Sequence, residues 1–97
     1  MPHRLAPQAE GDLDDIWYYT ATESGSVETA DRLVESLTTR FSLLATHPRA
    51  GRRRDDLRTG LRGFPVGGHV ILYRIEQSDV LVLRIVRGSR DLGELVR

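Results

Sequence analysis

His69, Tyr73 and Arg84 are the side chains of this sequence with the clearest potential for chemistry. His69 and Tyr73 are four residues apart in an apolar run with strong β propensity, so they share one face of a predicted strand. Arg84 lies in the next apolar run. An imidazole and a phenol can transfer protons, and a guanidinium can stabilise charge on a phosphate. The alternative is structural, with Tyr73 packed in a sheet and His69 at the start of a strand.

A β-hairpin over residues 67–88 would position these side chains. Its strands are predicted at residues 69–75 and 80–87, and a polar segment connects them. A connection of two or of four residues gives the same register, which pairs Tyr73 with Val82. By this register His69, Tyr73 and Arg84 lie on one face of the hairpin.

The predicted register divides the hairpin into two largely apolar faces. One face carries Val70, Leu72, Arg74, Leu81, Leu83, Ile85 and Arg87. The other carries His69, Ile71, Tyr73, Ile75, Val80, Val82, Arg84 and Val86. Both faces therefore need cover, whereas we expect the rest of the chain to cover only one.

Arginine supplies all fourteen basic residues, and the sequence has no lysine. Chemistry that needs a lysine amine is therefore excluded, while forked contacts to phosphate or carboxylate remain available. The densest run is residues 48–60, PRAGRRRDDLRTG, which combines five arginines with two aspartates. Such a run can hold phosphate, or its arginines can pair with Asp55 and Asp56 in a solvated loop. Composition favours the solvated loop.

The remaining composition limits the classes of function. Without cysteine there is no disulfide, thiol nucleophile or cysteine-bound metal, which fits a reducing cytoplasm. The three histidines are scattered without the carboxylate spacing typical of a metal site, so we expect neither a metal nor another cofactor. The sequence has no apolar run of membrane-spanning length and no signal-peptide pattern, and we expect a soluble cytoplasmic protein.

Hydrophobic periodicity and turn residues give the order of elements. The predicted elements are a strand at 2–6, a helix at 7–22, a helix capped by Ser26 that ends near His47, a strand at 61–66 and the hairpin strands. This order predicts one α+β domain over residues 1–97, with an N-terminal strand and an α-helical hairpin packed on one face of an antiparallel sheet (β-α-α-β-β-β).

Five segments follow one another in a recognisable order: DLDDIWYY, FSLLATHP, GRRRDDLRTGLR, HVILYRI and LRIVRGSRD. Together they resemble the motifs of ParE-type toxins, from the ParE/RelE superfamily of bacterial toxin–antitoxin systems, and the resemblance covers essentially the whole chain. Two positions differ, since Ala6 stands where the family often has a capping serine and Arg87 where it often has histidine. The fold implied by the resemblance has the same order of elements.

The resemblance implies a toxin neutralised by a cognate antitoxin that wraps it and covers surface left open by its helices. For ParE-like members it implies inhibition of DNA gyrase by protein binding, without catalysis, metal, membrane contact or direct sequence-specific DNA binding. A toxin–antitoxin heterotetramer is compatible with it. The candidate residues for contacts with the target or antitoxin are Arg52, Arg53, Arg58, Arg62, Arg84, Arg87 and Arg90.

Two alternatives stay open at the level of sequence. A RelE-like nuclease that cleaves messenger RNA on the ribosome would use His69, Tyr73 and Arg84, but the chain has no lysine and neither histidine nor tyrosine after Tyr73. A non-toxic interaction domain would leave the arginines solvated. The sequence favours the gyrase inhibitor because arginine binds well but serves poorly as a general base near neutral pH.

Overall fold

Two helices pack on one face of a five-stranded sheet in this protein, for which a computed structural model describes residues 2–88. The elements are β1 (His3–Leu5), α1 (Pro7–Ser24), α2 (Val27–Thr46), β2 (Arg52–Arg53), β3 (Arg62–Val66), β4 (His69–Glu76) and β5 (Asp79–Arg87). The α+β class and the order of the predicted elements are confirmed. The short strand β2 is an addition, because it lies in the segment predicted as a loop.

The strand order in the sheet is β1-β5-β4-β3-β2. Strands β2 to β5 pair antiparallel, as predicted, whereas β1 runs parallel to β5. The sheet is therefore mixed, and the prediction of a wholly antiparallel sheet is wrong for its first strand. A parallel pair needs a long crossover connection, which the helices and the three intervening strands provide.

The ends of the helices agree with the capping signals in the sequence. Gly25 ends α1 with a φ of 68°, in the left-handed region that favours glycine. The Ser26 hydroxyl accepts a hydrogen bond from the Thr29 N–H at 3.1 Å and caps α2. Helix α2 ends at Thr46, two residues before Pro48, as expected from the restriction that proline places on the residue before it.

The register predicted for β4 and β5 is confirmed only as far as a bulge. Tyr73 pairs with Val82, as predicted, but the next pair joins Leu72 to Arg84, so Leu83 is an extra residue in β5. One extra residue reverses the alternation of side chains beyond it. Nothing in the apolar run around Leu83 marks that position in the sequence.

The bulge changes the face of the sheet on which each of the last side chains of β5 lies. Ile85 packs in the core beneath the helices and Val86 packs on the opposite face, the reverse of the prediction. Arg87 pairs with His69 and Arg84 with Leu72, so the predicted faces of these two arginines are also wrong. The physical reason is the single inserted residue.

Both faces of the sheet carry an apolar cluster. The core under the helices includes Ala9, Leu37, Phe41, Leu44, Val66, Ile71, Tyr73, Val80, Val82 and Ile85. On the other face Leu61, Leu72 and Val86 are buried, with Leu57, Val70 and Leu83 packed against them. The expectation that the chain covers only one face is therefore wrong for this region, because the arginine-rich loop also brings two leucines onto the sheet.

Candidate functional site

Tyr73 fastens the start of the arginine-rich loop to the sheet. Its hydroxyl donates to the Pro48 carbonyl at 2.7 Å and accepts the Gly51 N–H at 2.8 Å. A Cβ on Gly51 would lie 2.6 Å from Tyr73 Cε1 and closer still to the hydroxyl oxygen, so only glycine fits this approach. Burial raises the pKa of the Tyr73 hydroxyl above 10.0, which keeps it protonated near neutral pH.

The two aspartates of the loop pair with its arginines. Arg53 Nη2 lies 2.8 Å from Asp55 Oδ2, and Arg54 Nη2 lies 3.0 Å from Asp56 Oδ2. Asp55 Oδ1 also accepts the Gly60 N–H at 2.8 Å, and this bond, with the charge of Arg53, lowers the pKa of the Asp55 carboxyl. Internal pairing, which composition favoured, therefore describes Arg53 and Arg54.

The other predicted contact arginines fall into distinct settings. Arg52 is exposed and makes neither a hydrogen bond nor an ion pair with its side chain to another residue of the described range 2–88. Arg58 is exposed in the loop, whereas Arg62 is half-buried and donates from Nη1 to the Gly51 carbonyl at 2.8 Å. Arg90 lies outside the described residues, as does the tail 89–97.

Arg84 is held by an acidic residue of α1. Its Nε and Nη2 donate to the two oxygens of Asp12 at 2.8 and 3.1 Å. Asp12 Oδ2 also accepts the Ile85 N–H at 2.9 Å. This N–H lies on the same edge of β5 as the residues that pair with β1, but beyond the last of them, Val82. The hydrogen bond from Asp12 raises the pKa of the Arg84 guanidinium. Asp12 was not singled out in the sequence, although it lies four residues before Ile16 on the inward stripe of α1.

The structure does not bring His69, Tyr73 and Arg84 together. Tyr73 directs its hydroxyl to the loop, while His69 lies at the other end of β4, about 13 Å away along the strand. Arg84 pairs across the sheet with Leu72 rather than with a residue on the Tyr73 face. Within residues 2–88, no three His, Cys, Asp or Glu side chains cluster as metal ligands would, and no helix is long and apolar enough to cross a membrane.

An open cleft of about 710 Å³ lies between the two helices and the His69 end of the sheet. It is lined by Asp15, Ile16, Tyr19, Thr20, Leu33, His69, Ile85 and Arg87. The Arg87 guanidinium stands 6.0 Å from the centre of the Tyr19 ring, and Tyr19 is 56% exposed. Burial, and then the nearby charge of Arg87, lowers the pKa of His69 below 6.5.

The cleft combines apolar surface with one positive charge. Ile16, Leu33 and Ile85 supply apolar surface, and Arg87 supplies a positive charge at its rim. Of its residues, only His69 and Arg87 were singled out as candidates from the sequence. The others come from the two helices and, in the case of Ile85, from β5; among the helical residues, only the spacing of Ile16 and Leu33 in the apolar stripes of α1 and α2 was noted in the sequence.

Comparison with known proteins identifies the family. Residues 4–92 match the family model described as the ParE toxin of the type II toxin–antitoxin system, parDE. The chain belongs to the ParE toxin family. Toxin ParE1 of Caulobacter vibrioides is 39% identical over 88 residues, which covers 91% of this chain and 90% of that protein. Toxin ParE1 of Mycobacterium tuberculosis is 30% identical over 89 residues, with coverage of 91% and 90%.

A solved structure supports the fold of this ParE-family chain. A chain of the chromosomal ParDE TA system from P. aeruginosa superposes with a TM-score of 0.79, covering 90% of this chain and 95% of that chain. At 23% sequence identity the likeness concerns the fold. The resemblance to ParE-type toxins noted in the sequence is thus confirmed by the family model and by relatives that match almost end to end.

Proposed function

We propose that this ParE-family toxin inhibits DNA gyrase by binding to it in the cytoplasm, and that a cognate antitoxin neutralises the toxin. Membership of the family supports the toxin–antitoxin role. The observation that carries the mode of action is the separation of His69, Tyr73 and Arg84, because a nuclease needs proton-transfer groups close to one phosphate. A binding inhibitor needs only complementary shape and charge.

The cleft beside His69 is the proposed docking site for the antitoxin. Its apolar floor of Ile16, Leu33 and Ile85 suits the apolar stripe of a helix or an extended segment. Arg87 is exposed at the rim and forms no ion pair with another residue of the described chain. A carboxylate of the partner would pair with this guanidinium and fix the register of the bound segment.

The arginine-rich end of the sheet is the proposed surface for the target and for further antitoxin carboxylates. Arg52 and Arg58 are exposed there, and Arg53 and Arg62 lie opposite one another on β2 and β3. Tyr73 holds the backbone of this loop at Pro48 and Gly51. The loop side chains are therefore attached to a backbone that is fixed at this end. A fixed surface loses less conformational freedom when it binds a partner.

Two assays on one preparation test the mode of action. Purified protein is added to a gyrase supercoiling reaction and to translating ribosomes whose messenger RNA is then mapped for cleavage. We expect loss of supercoiling with intact transcript. Transcript cut at the ribosomal A site with gyrase unaffected would contradict the proposal. Inactivity in both assays, with a folded protein and no antitoxin present, would favour the non-toxic alternative.

Substitution at the cleft tests the antitoxin site. Arg87→Gln should weaken binding of the protein encoded beside the toxin by about tenfold, because a charged hydrogen bond is lost at the rim. Arg32→Gln, which removes the same charge from an exposed position on α2, is the matched control. Equal affinity of the two variants, measured by calorimetry, would place the antitoxin elsewhere.

A further inference from the structure

A small cleft at the loop end of the sheet concentrates positive charge. Its volume is about 260 Å³, and it is lined by Arg49, Arg53, Asp55, Gly60, Leu61, Arg62 and Ile75. It lies at the opposite end of β4 from the cleft proposed for the antitoxin. Three arginines and one aspartate among these described lining residues leave two positive charges in excess.

Pairing across the sheet makes this concentration of charge unfavourable unless it is compensated. Arg53 of β2 and Arg62 of β3 are direct partners in an antiparallel pair, where like charges destabilise. Asp55 offsets one of them, since its Oδ2 lies 2.8 Å from Arg53 Nη2. The other carboxylate oxygen accepts the Gly60 N–H, so each oxygen of Asp55 already has a partner within this segment.

The arginines keep donors for a ligand. Arg62 uses Nη1 to reach the Gly51 carbonyl at 2.8 Å, one of the five N–H donors that a guanidinium carries. Arg49 is exposed and makes neither a hydrogen bond nor an ion pair with its side chain to another residue of the range 2–88. The Arg62 guanidinium, which the Gly51 carbonyl positions, and the Arg49 guanidinium, which has no partner in the described range, therefore border the same cleft.

We propose that Arg49, Arg53 and Arg62 form a binding site for a phosphate-class dianion, either free phosphate or the terminal phosphate of a nucleotide. Two excess positive charges match a dianion, whereas a carboxylate would neutralise only one. Guanidinium groups bind phosphate oxygens through paired, charge-assisted hydrogen bonds. The small volume suits a phosphate group rather than a folded segment of a partner. Arg53 and Arg62 also belong to the surface proposed for the target and the antitoxin, but phosphate binding is measured on the toxin alone, so its test is separate from that proposal.

The test is a titration of the purified full chain at constant ionic strength, followed by the NMR signals of the arginine Nε–H groups. Constant ionic strength is required because salt screens exposed charges. Inorganic phosphate should shift the signals of Arg53 and Arg62 saturably at millimolar concentration, and acetate should not. Equal saturation by acetate would overturn the proposed preference for a dianion, and absence of saturation by phosphate would overturn the site.

Two variants with the same loss of charge separate a site from general attraction. Arg49→Gln should weaken phosphate binding by about tenfold without affecting the fold, because a charged hydrogen bond is lost from an exposed side chain. Arg32→Gln on α2 should leave binding unchanged. Equal weakening by both variants would overturn the proposal, because only non-specific charge would then be involved.

The source of the phosphate is distinguished with a nucleotide. Adenosine monophosphate carries a terminal phosphate, and adenosine provides the same base and sugar without it. Tighter binding of the nucleotide than of inorganic phosphate would identify a nucleotide as the source, and weaker or equal binding would identify the free anion. Both results support the site. Equal signal shifts with adenosine and with the nucleotide would contradict it, since the phosphate would then make no contribution.

Discussion

The two ends of strand β4 place arginine in opposite situations. At the loop end, a carboxylate holds Arg53 on β2 and a backbone carbonyl holds Arg62 on β3, and a buried tyrosine fastens the start of the loop to the sheet. At the other end, Arg87 lies exposed over Tyr19 at the rim of an open cleft. The loop end is organised by internal hydrogen bonds, whereas Arg87 forms no ion pair with another residue of the described chain.

The comparison shows that neighbouring arginines in a sequence need not be equally available for contacts with a partner. The run at residues 52–54 is partly engaged by aspartates two residues further along the chain. The cleft instead assembles side chains from α1, α2, β4 and β5, which are distant in sequence. Its single arginine forms no ion pair within the described residues, whereas Arg53 and Arg54 of the loop are each paired with an aspartate.

Gly51→Ala should give the largest effect on stability. The added Cβ would lie within 2.8 Å of the Tyr73 ring, which is buried and cannot move away. We expect the free energy of unfolding to fall by about 3 kcal/mol, measured by urea denaturation. Gly68→Ala is the control, since a Cβ there meets nothing within 4 Å. Equal stability of both variants would mean that the loop end is not fixed as described.

Tyr73→Phe should lower the stability of the loop end without changing antitoxin binding at the cleft. The variant keeps the buried ring but loses the bonds to the Pro48 carbonyl and the Gly51 N–H, which should cost about 2 kcal/mol. Binding of the antitoxin at the Arg87 cleft should stay within twofold of the wild type if the two ends are independent. A large loss of antitoxin affinity in this variant would show that the two ends are coupled.

Substitution of Arg84 tests whether its contact with Asp12 stabilises the fold. Arg84→Ala removes both hydrogen bonds to Asp12 and should lower the free energy of unfolding by about 1–2 kcal/mol. Asp12→Ala should cost more, because the Ile85 N–H also loses its acceptor. The double variant should be less destabilised than the sum of the single variants. Intact stability with lost toxicity would instead make Arg84 a contact residue.

Mildly acidic pH should lower the stability of the protein through His69, at the cleft end, by less than the substitutions above. The pKa of His69 is lowered in the folded protein, so its neutral form contributes stability that is present above about pH 6.5 and is lost as the pH falls through the folded-state pKa. Asp55 and Asp56 do not contribute in this range, because their pKa values are lowered below 3.8.

The matching measurement is thermal unfolding between pH 7 and pH 5. His69→Gln should reduce the loss of stability over this range. An unchanged pH dependence in His69→Gln would remove the difference in acid sensitivity between the two ends.

Local signals explain why the order of elements could be predicted from the sequence. Gly25, Ser26 and Pro48 act on the backbone within a few residues, so the ends of the helices follow from short-range chemistry. The pairing of Tyr73 with Val82 likewise followed from the short connection between the hairpin strands.

Features that depend on tertiary contacts escaped prediction. The bulge at Leu83 lies in an apolar run that reads equally well without it, yet it reverses the faces of the last residues of β5. The pairing of Asp12 with Arg84 and the lining of the Tyr19 cleft need distant elements to meet. Leu57 seemed part of a polar loop because its neighbours are charged, although it packs on the sheet.

The parallel pairing of β1 with β5 has a consequence for the order in which the molecule is made. His3 pairs with Val80, so the first strand has no place in the sheet until the last strand has been synthesised. Such long-range contacts require nearly the whole chain to be ordered before they form, which slows folding. During translation, α1 leaves the ribosome before β5, the strand that it packs against, exists. The cleft beside Arg87 is thus completed only after β5 has been synthesised, and a partner that recognises it meets a chain in which both helices and β5 are already present.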